Sequence, residues 1–426
     1  MAVAGARDTR KPRIVTDEGS TIRRPLDGVR VLALEQLQSL PVATQLMVHL
    51  GADVIKIEPP ETGEPGRATL PSITDNSGRP AGATFLRYGL GKRSAAIDLA
   101  TLQGRDLVRA MAAAVDVVCE NLGPGVADDL GVGYAALNDV NPRIIYASLS
   151  GFGAADDSPY AHWPDPAVVP EAMSGVYEYS RRPHQPPVLN PMGDSADTTA
   201  GLFALVGILA AIRHRDRMGL GQRVDVSKFD SMISMCDLVP NYWSLGVRRD
   251  PDEDLRLPLI NTAFKASDGW FMMSVFRRHQ FERLAHLIDR PEWCSDSRFD
   301  DPWGWADNLA GTIRPAVEAW ASSLSKHQAS STLAQSGIAA APGNSAVDLV
   351  DDAHVVAHRM LTAIPRSDGV PQPVLVAGNP IKMSRLDEDA GLGLPSVGQH
   401  TDEVLSELLG LDHASIGALR RDGAIG

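Results

Sequence analysis

The sequence predicts an α/β fold, with a large domain built on a parallel sheet covered by helices and a smaller α+β domain. Three observations predict it. Short β-branched runs alternate with helical stretches through the first 150 residues, the pattern of strand–helix–strand units. Residues 198–212 are nearly all apolar or small, as in a core helix. Near residue 245 the alternation gives way to a hairpin signal and separate helical stretches.

The elements follow in order. Residues 1–25 are polar, with Arg7, Arg10, Lys11, Arg23 and Arg24 and little periodicity, and read as an extended or disordered arm. Residues 29–34 read as a strand, 41–50 as a helix stopped by Gly51, and 52–57 as a second strand ended by Pro59-Pro60. A helix over 107–114 leads to a third strand at 115–119, and 143–149 is a fourth. Residues 152–192 are Pro-rich and aperiodic, too long for a plain connector, and read as a functional loop. The helix over 198–212 ends in Arg213-His214-Arg215, cations suited to a helix C-terminus. A short strand over 224–226 and a helix from Phe229 follow. Ser267-Asp268-Gly269 is a turn sequence within a hairpin over 261–275, and helices are expected over 279–289, 307–325, 401–409 and 415–421. The boundaries are an arm over 1–25, a large domain over 26–225, a linker over 226–245, a small domain over 246–350, and a C-terminal segment over 351–426 returning to the large domain.

Composition narrows function. Lys plus Arg number 40 against 53 Asp plus Glu, a net charge of -13, which argues against a nucleic-acid binder needing a basic face. No apolar run reaches 18 residues, so no transmembrane helix and no membrane partner is expected. Cys119, Cys236 and Cys294 are too few and scattered for a disulfide framework or a zinc site. A reducing, cytoplasmic setting fits. Gly151-Phe152-Gly153 is half a dinucleotide fingerprint. His354 and His358 stand four apart without a third ligand, so no metal is expected.

Many short segments, in order, carry a resemblance. They include Pro25-Leu26-Asp27-Gly28-Val29-Arg30-Val31-Leu32, Leu50-Gly51-Ala52-Asp53-Val54-Ile55-Lys56-Ile57-Glu58-Pro59, Gly91-Lys92-Arg93-Ser94 and Glu120-Asn121-Leu122-Gly123-Pro124-Gly125. Later ones are Ser150-Gly151-Phe152-Gly153, Gly193-Asp194, Gly221-Gln222-Arg223-Val224-Asp225-Val226 and Gly398-Gln399-His400-Thr401-Asp402-Glu403. Together, over roughly 25–426, the chain resembles the class III coenzyme A transferases, a family of formyl-CoA and carnitine CoA-transferases whose fold the alpha-methylacyl-CoA racemases share. The resemblance implies a Rossmann-like large domain that binds CoA and a homodimer of interlocked rings. It implies an acyl-CoA donor and a carboxylic acid acceptor as substrates, with no tightly bound cofactor.

The reaction needs a carboxylate that attacks a thioester, forming an enzyme anhydride and then an enzyme–CoA thioester. In the family this aspartate follows a glycine and precedes a long apolar helix, which points to Asp194. An aspartate there also suits the N-cap of that helix. Gln38 matches a position beside the thioester and the CoA, where it could hydrogen-bond the anhydride or thioester oxygen; Ser39 follows it. Lys92 and Arg93 match a basic pair, and Arg67 ends a Gly-rich turn; each suits phosphate, or a solvated surface. Asn121 and Leu122 match positions along the CoA groove.

Two departures stand out. Relatives carry an acidic residue eight positions before the Gly of a Ser-Gly pair, and counting back from Gly175 gives Ala167. A natural loss, an introduced Asp→Ala change, or compensation by Asp165 would each explain it. The racemases place a His just before that position, and here it is Pro166. This weighs against a racemase, and the retained Gly193-Asp194 pair favours a transferase over a non-catalytic CoA-binding relative.

Overall fold

The computed structural model describes residues 24–75, 77–153, 158–189, 193–246, 257–366, 368–384, 386 and 392–426. The expected arm falls, but for Arg24 and Pro25, outside the described residues. The described residues form two compact units.

The larger unit takes in residues up to Ser180, 187–246 and 359–426. Its strands are β1 (Arg30–Leu34), β2 (Asp53–Glu58), a short hairpin of β3 (Ser72–Thr74) and β4 (Pro80–Gly82), then β5 (Arg93–Ala96), β6 (Val117–Glu120), β7 (Ile145–Ser150) and β8 (Gln222–Ser227). Six of them form a parallel sheet in the order β5-β2-β1-β6-β7-β8. The unit is thus a mixed α/β, Rossmann-like domain. The helices are α1 (Ser39–His49), α2 (Ala83–Tyr88), α3 (Leu102–Ala112), α4 (Val126–Asp129), α5 (Tyr134–Val140), α6 (Val168–Met173), α7 (Val176–Ser180), α8 (Ser195–Met218) and α9 (Lys228–Met235).

Strands buried on both faces read as continuous apolar runs, and the two faces sort by alternation. Val31, Ala33, Val117, Cys119, Ile145 and Ala147 pack under α1 and α8. Leu32, Leu34, Ile55, Val118, Ile144 and Tyr146 pack on the other face with Leu107 and Met111 of α3 and with Val404 and Leu405 of the C-terminal helix Thr401–Leu409. The approach of α1 to α8 is close because of Gly201: a Cβ there would lie 2.4 Å from the Ser39 carbonyl oxygen.

Two readings of the sequence change. The Pro-rich stretch 152–192 holds α6 and α7, and the expected linker over 226–245 holds α9 and two further helical turns. By length and composition alone α8 could span a bilayer. Here one face packs on the sheet, and Arg215 in its last turn pairs with Asp116 at 2.9 Å.

The smaller unit takes in Arg181–Pro186 and 257–358, so the helix Ala353–Ala357 groups with it. Strands β9 (Ile260–Lys265), β10 (Trp270–Val275) and β11 (Ala339–Pro342) form an antiparallel sheet in the order β11-β10-β9. Its core is aromatic, with Phe281 stacked on Trp305 at 4.8 Å between ring centroids. The His354 and His358 rings stack at 4.0 Å.

Candidate active site

In an open parallel sheet the strand order reverses at one point, and the loops beyond the C-terminal strand ends open a crevice there. Here the reversal lies between β1 and β6. The loop after β1 carries Gln36 to Gln38, and the loop after β6 carries Asn121 and Leu122. The fold therefore brings these separate sequence motifs to one place.

Asn121 builds the turn that presents Gln38. Its Oδ1 accepts from the Gln36 amide at 2.8 Å, and its Nδ2 donates to the Gln36 carbonyl and to Ser39 Oγ, both at 3.0 Å. Leu37 holds a left-handed φ of 58°, and its N–H donates to Glu64 Oε2 at 2.9 Å. Asn121 and Ser39, expected along a ligand groove, thus spend these bonds on the protein. Leu122 is half-buried, leaning on the second core face.

Gln38 reaches the start of α8. Its Nε2 lies 3.4 Å from both the Asp194 carbonyl oxygen and Thr198 Oγ1. Asp194 is exposed and makes no side-chain cap bond to α8. The cap comes from another element: Glu171 Oε1 accepts from the Ala196 N–H at 2.9 Å, and the Tyr177 hydroxyl donates to the other oxygen of Glu171. The capping reading of Asp194 is therefore overturned, and its carboxylate accepts no hydrogen bond from the described residues.

A second carboxylate, which the sequence reading passed over, lies one turn along. The Asp197 side chain is 13% exposed, and its Oδ1 is 3.0 Å from the ammonium of Lys228, the first residue of α9. Burial pushes the Asp197 carboxyl up; Lys228 opposes this, and the charges of Asp194 and Asp165 add to it. Tyr88 of α2 feels the same cluster: burial raises its phenol, and Asp197 and Asp194 raise it further. A carboxylate within the first turn of a helix that is otherwise apolar on its sheet-facing side is the signal available in the sequence.

Ala167 is 5% exposed and packs with Ala196 and Met232. Asp165 stands nearer the cluster, with Oδ2 3.3 Å from Lys228 Nζ. The structure thus joins Asp165, and not position 167, to the carboxylates of α8.

The expected phosphate ligands are corrected. Lys92 is sealed, donating to Glu35 Oε1 at 2.5 Å and Thr44 Oγ1 at 2.7 Å. Arg67 is 2% exposed, forked onto Glu58 by two 2.7 Å bonds and stacked on the Phe85 ring. Arg93 binds Asp53, Glu403 and Glu407. Lys92 and Arg67 neutralise buried carboxylates, and Arg93 is taken up by three more exposed ones. A polar cavity of about 420 Å³ opens beyond β6 and β7, lined in part by Glu120, Gly123, Tyr146, Ser150, His162 and Arg223. The buried Tyr146 hydroxyl and Ser150 Oγ have no partner among the described residues.

Loops gathered at a parallel-sheet switch point, beside a carboxylate-bearing helix start, are the arrangement of a ligand-binding α/β domain. The family model for CoA-transferase family III matches residues 26–401. The chain is 31% identical over 386 residues to succinyl-CoA:mesaconate CoA-transferase of Haloarcula hispanica, covering 90% of this chain and 96% of that protein. It is 30% identical over 422 residues to formyl-CoA:oxalate CoA-transferase of Streptomyces avermitilis, covering 94% and 100%. A CAIB/BAIF family protein from Brucella suis superposes with a TM-score of 0.79 at 30% identity, over 91% of this chain and 100% of that one. The protein belongs to CoA-transferase family III, and is an enzyme that transfers CoA between acyl-CoA thioesters and carboxylic acids.

Proposed function

We propose that the transfer runs through covalent intermediates on an aspartate in the first turn of α8, and that Asp197 is that aspartate. The sequence motif names Asp194. What favours Asp197 is that it is held: a nucleophile must keep its oxygen in one place relative to the thioester. Asp197 is ion-paired with Lys228 and largely desolvated, whereas Asp194 is exposed and makes no cap bond.

The Asp197 carboxylate attacks the acyl carbonyl, the C–S bond breaks, and CoA thiolate leaves an aspartyl anhydride. The thiolate then attacks the aspartyl carbonyl, releasing the donor acid and forming an aspartyl-CoA thioester. The acceptor carboxylate attacks this thioester, expelling thiolate and forming a second anhydride. Thiolate attack on its acceptor carbonyl frees the new acyl-CoA and restores Asp197. No net proton moves, so the residues bind and orient rather than shuttle protons. Gln38, beside the start of α8, donates to the thioester or anhydride oxygen. CoA extends along the switch-point crevice toward the cavity that includes Tyr146 and Ser150.

The relatives named above act on mesaconate and oxalate, and a small dicarboxylic acid is the acceptor class proposed here. A homodimer of interlocked rings is the proposed working unit; the exposed Leu202, Phe203 and Val206 on α8 are consistent with an interface. Incubation with succinyl- or formyl-CoA, followed by peptide mass spectrometry, should find a hydroxylamine-sensitive adduct on Asp197. An adduct on Asp194 instead would move the nucleophile back. Deuterium entering the α-carbon with no adduct on either residue would replace transfer chemistry with racemisation.

A further inference from the structure

The Lys228 side chain is 11% exposed, yet two carboxylates from different elements converge on it. Its ammonium donates to the Asp165 carbonyl oxygen at 2.9 Å, and lies 3.3 Å from Asp165 Oδ2 and 3.0 Å from Asp197 Oδ1. Burying a lysine is costly unless its charge is met, and here it is met by the loop before α6 and by the first turn of α8. Position 167 is a packed alanine against Ala196 and Met232.

We propose that Lys228 is a positioning residue for the transfer reaction: it fixes the Asp197 carboxylate and, through Asp165, ties the loop before α6 to the same point. The proposal rests on the reading of Asp197 as nucleophile. The charged and titratable groups acting on Asp197 are Lys228 from α9, Asp165 from the loop and Asp194 at the start of α8, and Tyr88 from α2 is coupled to it in turn; Glu171 of α6 is bonded to the neighbouring Ala196 N–H. One cation is shared by two anions, so removing the cation and removing the competing anion act in opposite directions.

The test is the pH dependence of single-turnover adduct formation, with the adducted residue mapped by mass spectrometry. In Lys228→Met, adduct formation should slow about a hundredfold, with its acid limb about one pH unit higher. In Asp165→Asn, which leaves Lys228 to Asp197 alone, the limb should move lower. Lys228→Arg, which keeps the charge, should restore most of the rate. A folded Lys228→Met protein with the wild-type limb overturns the proposal. Should that variant fail to fold, Asp165→Asn decides: a downward shift supports the proposal and an unmoved limb overturns it. A wild-type enzyme with no adduct on Asp197 removes the nucleophile reading and this proposal with it. A wild-type adduct with unmoved limbs in the variants removes the proposal alone.

Discussion

Two charged clusters of the larger unit differ in their balance. At the ends of β1 and β2, the Glu35 carboxylate meets Lys56 and Lys92, and all three side chains are at most 3% exposed. At the start of α8, Asp165, Asp194 and Asp197 gather near one ammonium, that of Lys228, and Asp194 faces solvent. The first cluster is met on every side by cations and a hydroxyl, and holds strands together. The second sets three carboxylates against a single ammonium, and the excess of negative charge at the edge of the crevice suits attack on an electrophile. A buried group that is fully met is structural; a group left partly unmet at a crevice is a candidate for chemistry.

The contrast can be broken by moving charge at either place. Asp197→Asn should lower turnover by about four orders of magnitude and abolish the adduct, while leaving the melting temperature unchanged or raised; Asp194→Asn should cost tenfold or less by the same assay. Glu35→Ala should do the reverse, costing about 3–5 kcal/mol in denaturant unfolding, because two lysines would be left buried without a counter-charge. The pH dependence follows the same cluster. Burial opposes ionisation of Glu35, but Lys92 and Lys56 overcome it and hold the carboxyl below its ordinary value of 4.5. Its contribution to stability is thus present above that value and lost as pH falls through the lowered one. Glu35→Gln should flatten the acid side of the stability curve.

Smaller effects sharpen the picture. Glu171→Ala leaves the buried Ala196 N–H unmet and should cost about 1–3 kcal/mol in thermal or denaturant unfolding. Gln38→Ala should lower kcat about tenfold with little change in stability, since its bonds at the start of α8 are long and half-exposed.

Much of the larger unit was legible. β1, β2, β6 and β7 are apolar runs bounded by Gly or Pro, and α8 is a long apolar stretch with a cationic end. β5 was not, because Arg93-Ser94-Ala95-Ala96 is four residues long and carries no β-branched side chain. α6 and α7 were hidden by the prolines around them. Arg67, Lys92 and Arg93 were read as ligands because their type suits phosphate, and a sequence does not show which carboxylate across the sheet has already claimed a cation. Asp197 is hidden in the sequence because the apolar run begins at Thr198, the residue after it, while the Gly193-Asp194 pair stands before it. Family likeness located the loops; only the fold showed which side chains within them remain free.

Gly201 sits one helical turn beyond Asp197, against the backbone of Ser39, the neighbour of Gln38. The gap between amide and carboxylate is therefore gauged by a missing methyl group. An alanine at 201 would act as a shim between two rigid rods, spreading them by about 1 Å and carrying the amide donor away from the carboxylate without touching either.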